Sequence, residues 1–339
     1  MRERIRCMIM RGGTSKGLFF LSGDLPEDPS ERDAVLVGAM GSGHPFHVDG
    51  AGGGHPLASK VAVVSRSERD DADLDYLFLQ LGVAEATITD RQNCGNILAA
   101  VGPFAVERGL ITAGDQAVTT RIHMVNSGSV VMATFPVSAP GTPVPVLLRF
   151  ADTAGSATGS LLPTGRVRDV IDGVEVTCVD NGMPVVVARA ADLGVTGSES
   201  PGELESDADL IARVQALRIA AGKLMGLGDV TGLTVPKTTL ISAPRDGGSI
   251  STRTFIPVTP HTAIGVLGAV SVATALLLPG GVGAELAQLP GDGRIEVEHP
   301  TGKLTVDVDV DTSADPPVVR SAGVIRTART IFDGFVYPR

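Results

Sequence analysis

Tryptophan is absent from the 339-residue chain, and cysteine is scarce. Cys7, Cys94 and Cys178 form an odd, widely spaced set with no C-x-x-C pair. That excludes a disulfide framework and a structural zinc site, and it predicts a reducing, cytoplasmic setting. Long apolar runs are missing too. The longest, Ile264 to Pro279, is interrupted by Gly265 and Gly268; it is too short to cross a bilayer and predicts a buried core helix. The N-terminus, Met1-Arg-Glu-Arg-Ile-Arg, is followed by only a short apolar stretch before Arg11, so no secretory leader is expected. Positive charge is in deficit. With 28 Lys and Arg against 38 Asp and Glu, the formal net charge is −10. This argues against nucleic-acid and anionic-membrane partners, while a locally basic site for a small anion stays allowed. The six histidines (His44, His47, His55, His123, His261, His299) show no H-x-H or H-x-x-x-H spacing. No metal is expected, and neither a P-loop nor a dinucleotide fingerprint appears.

What the chain has in quantity is glycine, 42 residues, with 22 prolines. These punctuate short elements, so many strands and tight turns are expected rather than a helical bundle. The length predicts two domains. Residues 5–10 and 17–21 read as strands around a glycine-rich turn, and 30–40 as a helix. Lys60-Val-Ala-Val-Val-Ser reads as a buried strand, and alternation from Asp73 to Gln80 as another. Residues 95–108 carry helical spacing, with the helix starting at Asn93-Cys94. Strands follow near 117–123, 129–135 and 144–150. The second half repeats the order: strands near 174–179 and 185–189, an amphipathic helix over 206–225, strands near 238–242 and 251–256, a helix over 264–278, and strands near 294–298, 303–310 and 317–324.

Four segments concentrate polar groups among glycines. In Arg11-Gly-Gly-Thr-Ser-Lys-Gly, glycines permit close backbone approach, and Arg11, Thr14 and Ser15 offer anion contacts; a plain strand–turn–strand explains it as well. Lys60 follows Ser59 and opens an apolar strand, where an ordinary surface lysine is the competing reading. In Gln92-Asn-Cys-Gly-Asn, a thiol at a helix start sees the positive end of the helix dipole, and Asn93 and Gly95 flank it; a buried structural cysteine is the alternative. The fourth pairs Arg253, a candidate carboxylate clamp, with His261 and Thr262 at the start of a second helix. Cys7 and Cys178 lie inside apolar strands and read as structural.

These segments, with Asn181-Gly-Met-Pro-Val, Ile264-Gly-Val-Leu-Gly-Ala-Val-Ser and Phe332-Asp-Gly-Phe-Val, resemble the PrpF family of 2-methylaconitate, methylitaconate and 4-oxalomesaconate isomerases. The matches run in order from residue 8 to 336. The resemblance implies an α+β, diaminopimelate-epimerase-like fold: two similar domains, each a β-barrel-like sheet around a central helix, with residues 1–162 plus 325–339 in one and 163–324 in the other. It places the family's catalytic lysine on Lys60 and its cysteine on Cys94, in a cleft between the starts of the two central helices. Arg11, Thr14, Ser15, Ser59, Asn93, Gly95, Asn181, Arg253, His261 and Thr262 would bind substrate. The epimerases' second cysteine has no counterpart near His261, which removes two-thiol racemisation. A lysine–cysteine pair suits a cofactor-free 1,3-allylic proton shift on a small unsaturated di- or tricarboxylate, best 4-oxalomesaconate. A 2-methylaconitate, aconitate or methylitaconate isomerase is the alternative, as is a non-catalytic carboxylate-binding protein; a homodimer is left open. A lysine in water is neutral only about 0.04% of the time at pH 7, so a lysine base must be withdrawn from solvent.

Overall fold

Residues 4–91, 94–114, 116–291 and 294–339 are described by a computed structural model. In chain order the strands are β1 (Ile5–Gly12), β2 (Ser15–Leu21), β3 (Lys60–Arg66), β4 (Leu74–Leu81), β5 (Ile88–Thr89), β6 (Ala117–Met124), β7 (Ser129–Pro136) and β8 (Val144–Phe150). They continue as β9 (Asp169–Ile171), β10 (Val174–Asp180), β11 (Pro184–Arg189), β12 (Lys237–Ser242), β13 (Ile250–Phe255), β14 (Arg294–His299), β15 (Gly302–Asp311) and β16 (Val318–Val336). The helices are α1 (Pro29–Met40), α2 (Gly95–Leu98), α3 (Val101–Glu107), α4 (Pro201–Ser206), α5 (Ala208–Leu224) and α6 (Val266–Leu277). The chain divides into two compact units, Met1–Arg149 with Ile325–Arg339, and Phe150–Val324. Among the described residues no helix is long and apolar enough to cross a membrane.

In the first unit the strand order is β1-β2-β3-β4-β6-β7-β8-β16, and β16 also pairs with β1, closing eight strands into a barrel. Alternation in β2 sorts its side chains between two cores. Phe19 meets Phe104 of α3 with ring centroids 5.6 Å apart. Leu18 and Phe20 pack instead with Leu36 and Met40 of α1 and with Val61 and Val63 of β3. Helix α1 forms where the sequence marks its ends: Asp28 accepts from the Ser30 and Glu31 amides, Pro29 opens the first turn, and Gly41 leaves it at φ 75°. Each large apolar side chain so buried contributes about 1.5–3 kcal/mol.

In the second unit β9 to β15 and the start of β16 form one sheet, ordered β16-β15-β14-β13-β12-β11-β10-β9. Helix α6 packs on β10, β11, β14 and β15, and its residues 268–276 are all buried. A helix apolar all round is what a core position requires. On the other side of β10 to β13, Leu210, Val214, Leu217 and Ala221 of α5 pack against Val176, Cys178, Val186, Ala188, Leu240 and Phe255. Burial pushes the thiols of Cys7 and Cys178 up to about 12, which leaves them inert.

Three expectations need correction. The single helix over 95–108 is two, with residues 99–100 between them. Pro103 has no N–H to give the Ala99 carbonyl, and its ring crowds that carbonyl, so the helix resets. Helix α6 begins at Val266 rather than Ile264, because the His261 ring nitrogen accepts from the Ala263 amide (2.9 Å) and folds that stretch into its own turn. Strand 317–324 does not end there: β16 runs 19 residues, to Val336.

Glu298, 5% exposed, accepts from the amides of Arg245 (2.8 Å), Asp246 (2.7 Å) and Gly248 (2.8 Å). Burial pushes its carboxyl up, but the three donors outweigh it and hold it below its ordinary 4.5. The stabilisation is therefore complete above pH 4.5 and lost as pH falls through the lower folded-state value. Glu298→Gln is expected to flatten the acid limb of a plot of urea midpoint against pH. A limb as steep as wild type's would show that Glu298 does not set it.

Candidate active site

The hairpin of β1 and β2 is the base on which the first unit's polar groups are arranged. Gly12 pairs with Ser15, Met10 with Gly17, and Gly17 in turn with Lys60 of β3. Paired residues share a face, so Gly12, Ser15, Gly17 and Lys60 point to the interior side. Arg11 alternates to the opposite face, opposite Lys16 and Arg329, and its Nε donates to the Gly13 carbonyl at 2.8 Å. The hairpin thus separates Arg11 from Lys60. Residues 13–17 spell G-x-S-x-G, the letters of a hydrolase nucleophile elbow; the structure makes them a β-hairpin with no following helix, and Ser15 is buried in β2.

Lys60 is 8% exposed. Its Nζ lies 5.2 Å from the Phe78 ring centroid and donates to Gln80 Oε1 at 2.7 Å. Gln80 is opposite Lys60 in the β3–β4 ladder, and its Nε2 donates to the carbonyls of Ser59 (2.9 Å), Pro56 (3.2 Å) and Leu81 (3.2 Å). Those contacts fix the amide so that its oxygen faces the lysine. Among the described residues no carboxylate pairs with Lys60. A lysine that acts as a base needs burial and no acidic neighbour, and Lys60 has both. Ser59 is used locally: its hydroxyl donates to the His55 carbonyl at 2.8 Å. Gln80→Glu would place a carboxylate against Nζ and hold it as an ammonium. We expect kcat at pH 7 to fall about tenfold or more, with the low-pH limb of the rate profile moved upward; an unmoved limb would separate Gln80 from the lysine's proton.

Cys94 is the half-buried N-cap of α2, and its side chain caps nothing. The backbone there is clamped from two sides. Tyr76, wholly buried, donates its hydroxyl to the Cys94 carbonyl at 3.4 Å. A Cβ on Gly12 would lie 2.0 Å from the Asn96 carbonyl oxygen, so only glycine lets the hairpin meet α2 this closely. Asn96 Nδ2 donates to Thr14 Oγ1 at 3.0 Å and approaches Ser15 Oγ at 3.5 Å. At Gly95 a Cβ would meet nothing within 4 Å among the described residues. Asn93 lies outside the described residues. Thr14, Ser15, Lys60, Cys94 and Gly95 therefore belong to one neighbourhood built on the hairpin, β3, β4 and α2.

The second unit treats its candidates differently. Asn181 is fully buried and hydrogen-bonded within its unit: its backbone amide donates to Ser271 Oγ (3.1 Å), its Nδ2 to Thr274 Oγ1 (2.8 Å), and its Oδ1 accepts from Thr153. It ties the end of β10 to α6. Arg253, 9% exposed, donates from Nε to the Glu199 carbonyl (2.6 Å) and from Nη1 to that of Thr252 (2.9 Å), so it binds chain rather than standing free as a clamp. His261 and Thr262 are exposed residues before α6, and the Thr262 carbonyl accepts from Thr301 Oγ1 at 2.9 Å.

Three polar residues near these groups escaped the sequence reading. Gln80 looked like the polar half of an alternating strand. Lys237 starts β12 as Lys60 starts β3; it is half-buried, unpaired among the described residues, and its Nζ would lie 3.6 Å from a Cβ on Gly265 at the N-cap of α6. Burial holds its pKa down. Arg326, within Val324-Ile-Arg-Thr-Ala, faces the Cys94 region. The legible signal in both basic residues was a charge set in an apolar strand.

This α+β scaffold is that of an isomerase of known structure. The crystal structure described as methylitaconate-delta-isomerase superposes with a TM-score of 0.87 at 31% identity, over 99% of this chain and 96% of that one. The family described as "PrpF protein" matches residues 2–339, and the chain belongs to that family. Among curated relatives, the (4E)-oxalomesaconate Delta-isomerase of Novosphingobium sp. strain KA1 is 51% identical, over 98% of this chain and 96% of its own length. The 4-oxalomesaconate tautomerase of Pseudomonas putida is 49% identical, over 99% and 96%.

Proposed function

We propose that the protein is a cofactor-independent isomerase that moves a proton across a three-carbon allylic system of 4-oxalomesaconate, with Lys60 and Cys94 as its acid–base pair. The observation that carries the reading is Lys60, buried without an acidic partner among the described residues and hydrogen-bonded to Gln80, in the same unit as a half-buried thiol whose side chain caps nothing. A 1,3-shift needs one group to remove a proton and another to return one at the far carbon, and two such groups suffice. The hydroxyls of Thr14 and Ser15 and the Asn96 amide supply hydrogen-bonding groups beside them for an enolate or carboxylate. Relatives at 51% and 49% identity named for oxalomesaconate support this substrate over methylitaconate, the name borne by the 31%-identical structure.

The test is a comparison of kcat/KM for 4-oxalomesaconate, 2-methylaconitate, methylitaconate and aconitate. At least a hundredfold preference for 4-oxalomesaconate is expected. A preference for another acid would move the substrate assignment, and no turnover of any would favour a carboxylate-binding protein.

A further inference from the structure

We propose that Arg326 is a carboxylate subsite beside Cys94, taking the substrate carboxylate next to the carbon that exchanges its proton with the thiol. The identification of that ligand as substrate rests on the isomerase reading; the anion site itself does not. Arg326 sits two residues before Ala328, which pairs with Gly12 of β1. Alternation along β16 therefore turns its side chain to the face that carries Gly12, Ser15 and Lys60. Gly13 is the hinge of the arrangement. Its amide donates to the Thr327 carbonyl at 2.7 Å. A Cβ there would lie 2.3 Å from Asn96 Oδ1 on one side and 3.3 Å from Arg326 Cδ on the other. Arg326 is thus packed against the segment that carries Cys94.

Among the described residues the guanidinium has no counter-ion. Its Nε is buried with no hydrogen-bond partner, as is Asn96 Oδ1 across Gly13, and among the described residues no carboxylate pairs with it. Burial lowers its pKa, and the proximity of Cys94 acts in the opposite sense, as expected for close neighbours. Other buried or partly buried arginines have their N–H groups taken up: Arg108 pairs with Asp333 at 2.8 Å, Arg189 with Glu175 at 2.9 Å and Glu285 at 2.7 Å, and the Nε of Arg253 donates to the Glu199 carbonyl at 2.6 Å. A desolvated guanidinium left without an anion is costly, and native proteins rarely leave one so. Its planar fork matches a carboxylate, which would supply the missing charge from the ligand.

Alkylation of Cys94 tests this without reference to turnover. Iodoacetate carries a carboxylate and iodoacetamide does not, while both react with the same thiol. Their rates at Cys94, followed by mass spectrometry of its peptide, are compared in wild type, Arg326→Met and Arg326→Lys. The iodoacetate-to-iodoacetamide ratio is expected to fall about tenfold in Arg326→Met and to be partly restored in Arg326→Lys. In wild type alone, iodoacetate labelling should saturate with concentration and be competed by mesaconate, and this holds the test even where a variant fails to fold. Equal slowing of both reagents at an unchanged ratio would make Arg326 a modulator of the thiol and overturn the subsite, as would unsaturable iodoacetate labelling of wild type. A protein that passes these tests yet turns over none of the four acids keeps the subsite and loses the isomerase reading.

Discussion

Lys60→Met and Cys94→Ser are each expected to lower kcat by about 10²–10⁴-fold, the usual loss when one general acid–base group is removed. Both proteins should fold normally. Methionine fills much of the same space, and what is lost is the hydrogen bond to Gln80 and the ammonium's approach to the Phe78 ring. Cys94 makes no side-chain cap, so serine disturbs little in α2. The double variant should be no slower than the slower single one, because the two groups serve one reaction and their effects do not add. Circular dichroism and initial rates decide it. Near-wild-type turnover in either variant would remove that residue from the chemistry.

The second large effect is on stability. Arg218 of α5 is fully buried, with Nη1 donating to the carbonyls of Val230 (3.0 Å), Leu233 (3.0 Å) and Val235 (3.3 Å), and Nε to Gln215 Oε1 (3.0 Å). Burial lowers its pKa, yet among the described residues no acid offsets the charge; the carbonyls do. Arg218→Met fills similar volume but leaves three carbonyls without that donor. The Val230 carbonyl keeps the Leu233 amide (3.0 Å) and Leu233 is an exposed residue, so about one buried group is left unsatisfied and a net loss of about 1–3 kcal/mol is expected. Urea unfolding should show a lower midpoint at an unchanged slope. A midpoint equal to wild type's would mean that the carbonyls find other partners.

Arg218 also shows where sequence reasoning stops. The helix over 206–225 was legible from its apolar spacing, and arginine there reads as part of the solvated stripe. Its burial depends on residues 230–235 folding back over the helix, which no local pattern encodes. The same holds in reverse for Asn181 and Arg253. Their residue types suggested ligand contacts, but neighbours far along the chain, Thr274 and Glu199, take up their polar atoms. Strands were legible where alternation was strict, as in β4, whose Leu74, Tyr76 and Phe78 all turn inward. Lys60 was legible as a candidate because it opens an apolar strand after a glycine run, although an ordinary surface lysine explained it as well. Gln80 was not, because its role exists only across the ladder from Lys60. The break at Pro103 was written in the sequence and was outweighed by the helical spacing around it.

The central claim is that Lys60 and Cys94 carry a proton across an allylic system. It is tested most directly by ¹H NMR of 4-oxalomesaconate incubated with enzyme in D₂O. The account predicts enzyme-dependent deuterium at both ends of the three-carbon unit, falling together with turnover in Lys60→Met and Cys94→Ser. Deuterium entry at wild-type rate in both variants, or isomerisation with neither end labelled by solvent in wild type, would contradict it.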